Sequence, residues 1–452
     1  MSLFQFPSPA PKLRRSALWT AASVTTVATL IGTATAESPA TDDNALTRTS
    51  ADPDQRWAPA AEAPSRAPSV DCTTLPNPVF FPATTLLETF LSKVSPVLAD
   101  PAQAGADQMT IVHFPLSSCF AYEAHKDQTE LPGTAEYYLP DGTKQTCDMP
   151  VGSTVRSDLA AMDLGGVTCL GGIAPPADLT EYPSHVETLG FVVPRNSTQT
   201  AITATEAYYL MKFGGEAERT IAPWINPTFI NVRHSGSSTQ MTIGANIGIP
   251  GTMWNGNLVS HQGSSALRDA IIAENTTGNA EQVIGILNSS KWEAASNDMR
   301  VLAFQAFNQC DGAFFPDSTA TARDKQNVRD GHYPLWTNLR YIVRTDANGA
   351  ATSANGPEAA ARVDRFVHLM TGVASIESLN LAQAVIETGN VPPCAMHVKR
   401  DVDGGPVTSM SHPAPCDCYF LEQNGVPSGC TTCTTDAECP TGACRLGFCE
   451  AR

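Results

Sequence analysis

Ile230 to Gln240 reads Ile-Asn-Val-Arg-His-Ser-Gly-Ser-Ser-Thr-Gln. A short apolar strand enters a glycine-bearing turn, and a helix then opens on hydroxyl residues. Helix starts carry free N–H groups and the positive end of the helix dipole. Ser237, Ser238 and Thr239 add hydroxyl donors, and Arg233 adds a planar fork matched to an oxyanion. The chemistry open to this spacing is to hold an anion. Ser237-Ser-Thr-Gln240 also reads as a capping box, in which Ser237 serves its own helix and binds nothing.

Two other chemistries compete. Ser237 and His234 could begin a serine hydrolase, with Asp163 as a third member. No Gly-x-Ser-x-Gly elbow occurs, and His234 would have to fold back onto a helix start. Cys394-x-x-His397 and His412-x-x-x-Cys416-x-Cys418 offer nitrogen and sulfur ligands for a metal. A chain this rich in cysteine, if exported, forms disulfides instead. No cofactor motif is present.

The elements that must position these residues alternate between helix and strand. Leu86 to Leu98 is apolar at helical spacing, with Thr84 or Thr85 ready to cap it. Met109 to His113, Leu189 to Val193 and Phe229 to Arg233 read as strands, as do Val283 to Leu287, Val301 to Phe304 and Leu339 to Val343. Thr203-Ala-Thr-Glu206 is a capping box for a helix that Gly214-Gly215 stops. Ser265 to Glu274 and Glu358 to Leu369 are helical. Such alternation predicts an α/β fold with largely parallel sheets.

Arg233-His-Ser-Gly236-Ser237-Ser238-Thr239 resembles the Arg-x-x-Gly-Ser-Gly-Thr signature of the phosphate-binding proteins of ABC transporters, with Ser238 where that family has glycine. Pro223-Trp224-Ile225-Asn226-Pro227 is similar to the segment that precedes the signature. Leu189-Gly-Phe-Val-Val193, Val283-Ile-Gly285-Ile and Tyr333-Pro334-Leu335 resemble further landmarks in order. The resemblance runs from about Pro78 to Val343 and implies a two-lobed (type 2) periplasmic-binding fold with an oxyanion between the lobes. It also implies ligand contacts from Thr84 and Thr85, and from Asp163, whose Ala160-Ala161-Met162-Asp163 setting is similar to the family's Ala-Ser-Asp. In the family that carboxylate accepts the proton of a protonated oxyanion. The family's Gly/Ser-rich loop has its expected counterpart at Tyr138 to Cys147, which lacks Gly-Ser-Gly.

The rest of the chain bounds this reading. Its 452 residues carry a net charge of −17, which argues against nucleic-acid binding. Lys12 to Arg15, the uncharged Ser16 to Gly32 and Ala34-Thr35-Ala36 read as a cleaved secretion signal over residues 1–36, or alternatively as a membrane anchor. No later segment is long and apolar enough to span a membrane. Residues 37–71 form an Ala/Pro-rich linker. Lobe 1 is expected from 72–187 and 301–393, lobe 2 from 188–300, and a crosslinked tail, short of packing, from 394–452.

All thirteen cysteines follow Ala36. Cys147 and Cys169 bracket the segment holding Asp163 and are expected to pair, closing a loop worth about 3 kcal/mol, with Cys119 as a competing partner for Cys147 and Cys72 for either. The seven cysteines from Cys416 onward are expected to pair among themselves, with one left over. The expected protein is a periplasmic or secreted monomer, not an enzyme and without cofactor or metal. It would hold phosphate or a related oxyanion and hand it to an ABC permease. The alternative is a surface-displayed interaction protein on the same scaffold.

Overall fold

The computed structural model describes residues 70–440 and 442–450. The expected secretion signal and most of the expected linker, residues 37–69, lie outside the described residues.

Twelve strands form one sheet. In chain order its members begin with β1 (Val70–Asp71), β2 (Pro78–Thr84), β3 (Thr110–Leu116), β4 (Thr134–Tyr138), β5 (Lys144–Asp148), β6 (Leu159–Met162) and β7 (Leu179–Pro194). A short β8 (Ala201–Thr203) lies apart and pairs with β13. The main sheet resumes with β9 (Ile230–Arg233), β10 (Val259–His261), β11 (Ile284–Asn288) and β12 (Met299–Val301), then, after β13 (Ala303–Gln305), β14 (Trp336–Arg344). The order is β1-β5-β4-β3-β2-β6-β14-β7-β11-β9-β10, with β12 also on β7.

β7 makes this two lobes rather than one slab. Its first part, through Thr188, pairs with β14, and Leu189 to Pro194 pairs with β11 and β12. The expected lobe boundary at 187/188 falls inside this strand. Gly190 sits where the chain crosses, and a Cβ there would lie 2.7 Å from a Val301 methyl.

The sheet is mixed rather than largely parallel. β2 is parallel to β3 and β6, and β9 to β10 and β11. Every pairing of β7 and β14 is antiparallel, as is the β4–β5 hairpin at one side. The parallel triplets lie one in each lobe, so each lobe presents a set of C-terminal strand ends.

The main helices cover these strands: α1 (Glu88–Ala99), α2 (Ser118–Lys126), α3 (Ala204–Phe213), α4 (Ser238–Asn246), α5 (Ser264–Ala273) and α6 (Pro357–Met370). The Thr203–Glu206 capping box forms as expected, and Gly214 ends α3 in the left-handed conformation. The second capping box does not form. Ser237 stands at the N-cap of α4 without a side-chain cap bond, and Gln240 donates instead to the Gly251 carbonyl at 2.6 Å.

The cysteine pairing differs from expectation. Cys147 bonds Cys72, and Cys169 bonds Cys119. Closeness in sequence misleads here, because β5 lies beside β1, on the far side of β4, β3 and β2 from β6 and Asp163. The tail is not self-contained either. Cys416 bonds Cys394, and Cys418–Cys430, Cys433–Cys444 and Cys439–Cys449 follow, so the unpaired thiol is Cys310 in the body.

Packing holds the start of the tail as well as crosslinks. Helix α7 (Asp417–Gln423) buries Tyr419 and Phe420 in the same core as Val192 and Trp336. No described helix is long and apolar enough to cross a membrane.

Candidate functional site

Parallel pairing sends β2, β3 and β6 to one edge of their lobe, and the segments that follow them meet the segment that follows β9. Ligands of open α/β sheets bind outside such strand ends. Thr84, Thr85, Leu86, Ser117 and Ser118 come from one lobe, and Arg233, Ser237 and Ser238 from the other. Together they line a small cavity of about 10 Å³.

Asp163, directly after β6, is fully buried and bonded to two of the lining serines. Ser118 Oγ donates to its Oδ1 at 2.5 Å, and Ser238 Oγ donates to its Oδ2 from the other lobe. Thr337 Oγ1 holds the Asp163 carbonyl at 2.7 Å. Burial raises the Asp163 pKa above the usual carboxylate range, while the two serine hydroxyls and Arg233 pull the other way.

Arg233 is the opposing charge. Its register opposite His261 on β10 lets Nε donate to the His261 carbonyl at 3.3 Å. Nη2 donates to Gln262 O at 2.9 Å, and Nη1 donates to Ser264 Oγ. Burial lowers its pKa to about 10, opposed by Asp163, so it remains a cation at neutral pH. Three donors tie it to its own lobe; the remaining N–H groups are available to the cavity.

Because the capping box is absent, the Ser237 hydroxyl is not tied to a cap bond and lines the cavity. Thr239 follows on the first turn, buried with its hydroxyl unpartnered, and the Ser117 hydroxyl across the cleft is also buried and unpartnered. Thr84 Oγ1 accepts from Leu86 N at 3.4 Å, and Thr85 is exposed on the cavity wall.

Ser117 and Ser118 are site residues that sequence reading missed. The expected counterpart, Tyr138 to Cys147, lies in the β4–β5 hairpin instead. The available signal was a buried strand running straight into Ser-Ser at a helix start, the same grammar as β9 into α4.

Cys119–Cys169 ties the residue after Ser118 to the short helix Gly166–Cys169, just past Asp163. The tail adds another hold. Asp403 accepts from Gly165 N at 2.8 Å, Thr168 Oγ1 at 2.6 Å and Arg340 Nη1 at 3.1 Å. Gly404 beside it has φ +67°, and a Cβ there would lie 2.7 Å from the Ala245 Cβ on α4.

Neither competing chemistry is assembled. Asp163 faces two serine hydroxyls where a triad would offer an imidazole. Cys394, Cys416 and Cys418 are in disulfides, and His397 stands between Asp330 at 2.6 Å and Asp417 at 2.7 Å.

Comparison with known proteins finds no matching family model and no matching curated protein. Among solved structures, the chain is similar to an ABC-type phosphate transport receptor from Vibrio cholerae. Identity is 12%, coverage 70% of this chain and 100% of that one, and the TM-score 0.42. It is also similar to a possible phosphate binding protein from Planctomyces limnophilus, at 11% identity, 72% and 94% coverage and TM-score 0.40. The reduced OxyR regulatory domain from Pseudomonas aeruginosa matches at 10% identity, 66% and 100% coverage and TM-score 0.34.

Proposed function

We propose that the cleft binds a small tetrahedral oxyanion, with phosphate the leading ligand, and that the chain is an exported, monomeric solute-binding protein rather than an enzyme. The observation that carries this reading is the convergence of Arg233 with serine hydroxyls from both lobes on one small polar cavity. Hydroxyls, helix-start N–H groups and a guanidinium together replace an oxyanion's water. The cavity's small size speaks against a larger phosphorylated metabolite. Release to an ABC permease would follow from reopening of the lobes.

Calorimetric titration of the full chain with phosphate tests the reading. Saturable one-to-one binding is expected, with no turnover of ester substrates. Absence of binding to phosphate, sulfate and other small oxyanions would sink it.

A further inference from the structure

We propose that Ser238 sets which oxyanions the cleft accepts, an inference that rests on the oxyanion reading of this same site. A carboxylate beside an anion site selects by protons. It accepts from a ligand O–H but repels a fully ionised ligand oxygen. Asp163 could select in that way only if a ligand oxygen reached its carboxylate.

Here each oxygen already accepts from a serine, and the serines, not Asp163, line the cavity. Oδ1 takes the Ser118 hydroxyl at 2.5 Å, and Oδ2 takes the Ser238 hydroxyl from the opposite lobe. Both serines line the cavity, and Asp163 lies fully buried against them. The two hydroxyls therefore stand between the carboxylate and a ligand in the cavity. Closure of the lobes itself brings the second, because Ser238 belongs to α4 and Asp163 follows β6.

A ligand oxygen entering the cavity meets the free Ser117 hydroxyl, the Ser237 hydroxyl and the outward N–H groups of Arg233. None of these requires the ligand to carry a proton. A glycine at position 238 would remove the hydroxyl that screens Oδ2, and a ligand oxygen reaching it would have to bring a proton. Ser238 thus relaxes a selection that Asp163 would otherwise impose, and admits sulfate beside phosphate.

The test is parallel titration of the full-length wild type, Ser238→Gly and Ser238→Ala with phosphate and with sulfate at pH 7. Melting curves would confirm that each variant is folded. The wild type is expected to bind the two ions within about tenfold of each other. Both variants should shift the ratio toward phosphate by about tenfold or more, mainly through loss of sulfate binding. If the wild type binds phosphate and refuses sulfate, or if both variants leave the ratio unchanged, the role of Ser238 is overturned while the oxyanion reading stands. If the wild type binds neither ion, the oxyanion reading falls and this inference falls with it.

Discussion

The wall built on β2, β3 and β6 sets Ser117 and Ser118 beside a carboxylate, whereas the wall built on β9 and α4 sets Ser237 and Ser238 beside a guanidinium. The two charges are held differently. Arg233 is anchored within its own lobe, through His261, Gln262 and Ser264. Asp163 is satisfied by one hydroxyl from each lobe. If the lobes open as proposed, the cation keeps its anchors and the carboxylate loses the Ser238 hydroxyl. On the proposed reading, affinity belongs to the cationic wall, and selection and closure to the carboxylate wall.

The largest expected effect comes from cutting the crosslink in the carboxylate wall. Cys119 and Cys169 are separated by 50 residues. In the loop-closure picture their bond is worth about 4 kcal/mol. The Cys119→Ala/Cys169→Ala variant should lose about that much in urea unfolding and bind phosphate more weakly. Cutting Cys72–Cys147, which ties β1 to β5 away from the cleft, should destabilise the fold and leave affinity intact. Equal binding losses in the two variants would remove the distinction between these disulfides.

Next is the cationic wall. Arg233→Ala removes a buried, charge-assisted contact worth about 1.5–3 kcal/mol. Phosphate affinity should fall by about tenfold to a hundredfold. Because the same side chain holds the 261–264 turn, the melting temperature of the ligand-free protein should fall too. Unaltered affinity measured by calorimetry would take Arg233 out of the site.

These expectations show what the sequence could and could not disclose. Arg233 to Thr239 was legible because strand, glycine, hydroxyls and arginine sit together in one short run. Ser117 and Ser118 were not, since Leu116-Ser-Ser-Cys119 has no glycine and lies 45 residues before Asp163. Only the parallel placement of β3 beside β2 and β6 brings them to the cavity. The disulfides were illegible for the same reason, since sheet order rather than sequence distance puts Cys119 near Cys169. The tail looked too poor in apolar residues to pack, yet Tyr419 and Phe420 on one helix face sufficed to dock it.

A smaller effect sharpens the electrostatics of the carboxylate wall. Glu187 on β7 is fully buried, and neither carboxylate oxygen has a partner. Burial, and then the charge of Asp163, raise its pKa well above the ordinary value, with Lys291 opposing. The folded state therefore keeps a proton that the unfolded chain releases, and stability falls as pH rises above the ordinary glutamate range. Glu187→Gln should flatten that fall, with a gain in melting temperature that is larger at pH 8 than at pH 5. A gain equal at both pH values would contradict the assignment.

The smallest expected effect lies outside both walls, where His397 bridges Asp330 and Asp417 and so joins the body to α7. Both ring nitrogens can donate only in the imidazolium. The Asp417 bond, then that of Asp330, raises the His397 pKa, against its partial burial. This contribution is complete below the ordinary histidine value and is lost as pH rises through the raised one. Limited proteolysis after α7 should therefore accelerate modestly at alkaline pH in the wild type. His397→Gln should cut at one rate throughout; a retained pH dependence in that variant would assign the effect elsewhere.

The most direct test of the two-wall account is a crystal structure of the full chain grown with phosphate. The account predicts one tetrahedral density in the cavity, touching Ser117 from one lobe and Arg233 and Ser237 from the other, with Ser238 still donating to Asp163. An empty cavity at saturating phosphate, or density bound elsewhere on the protein, would contradict it.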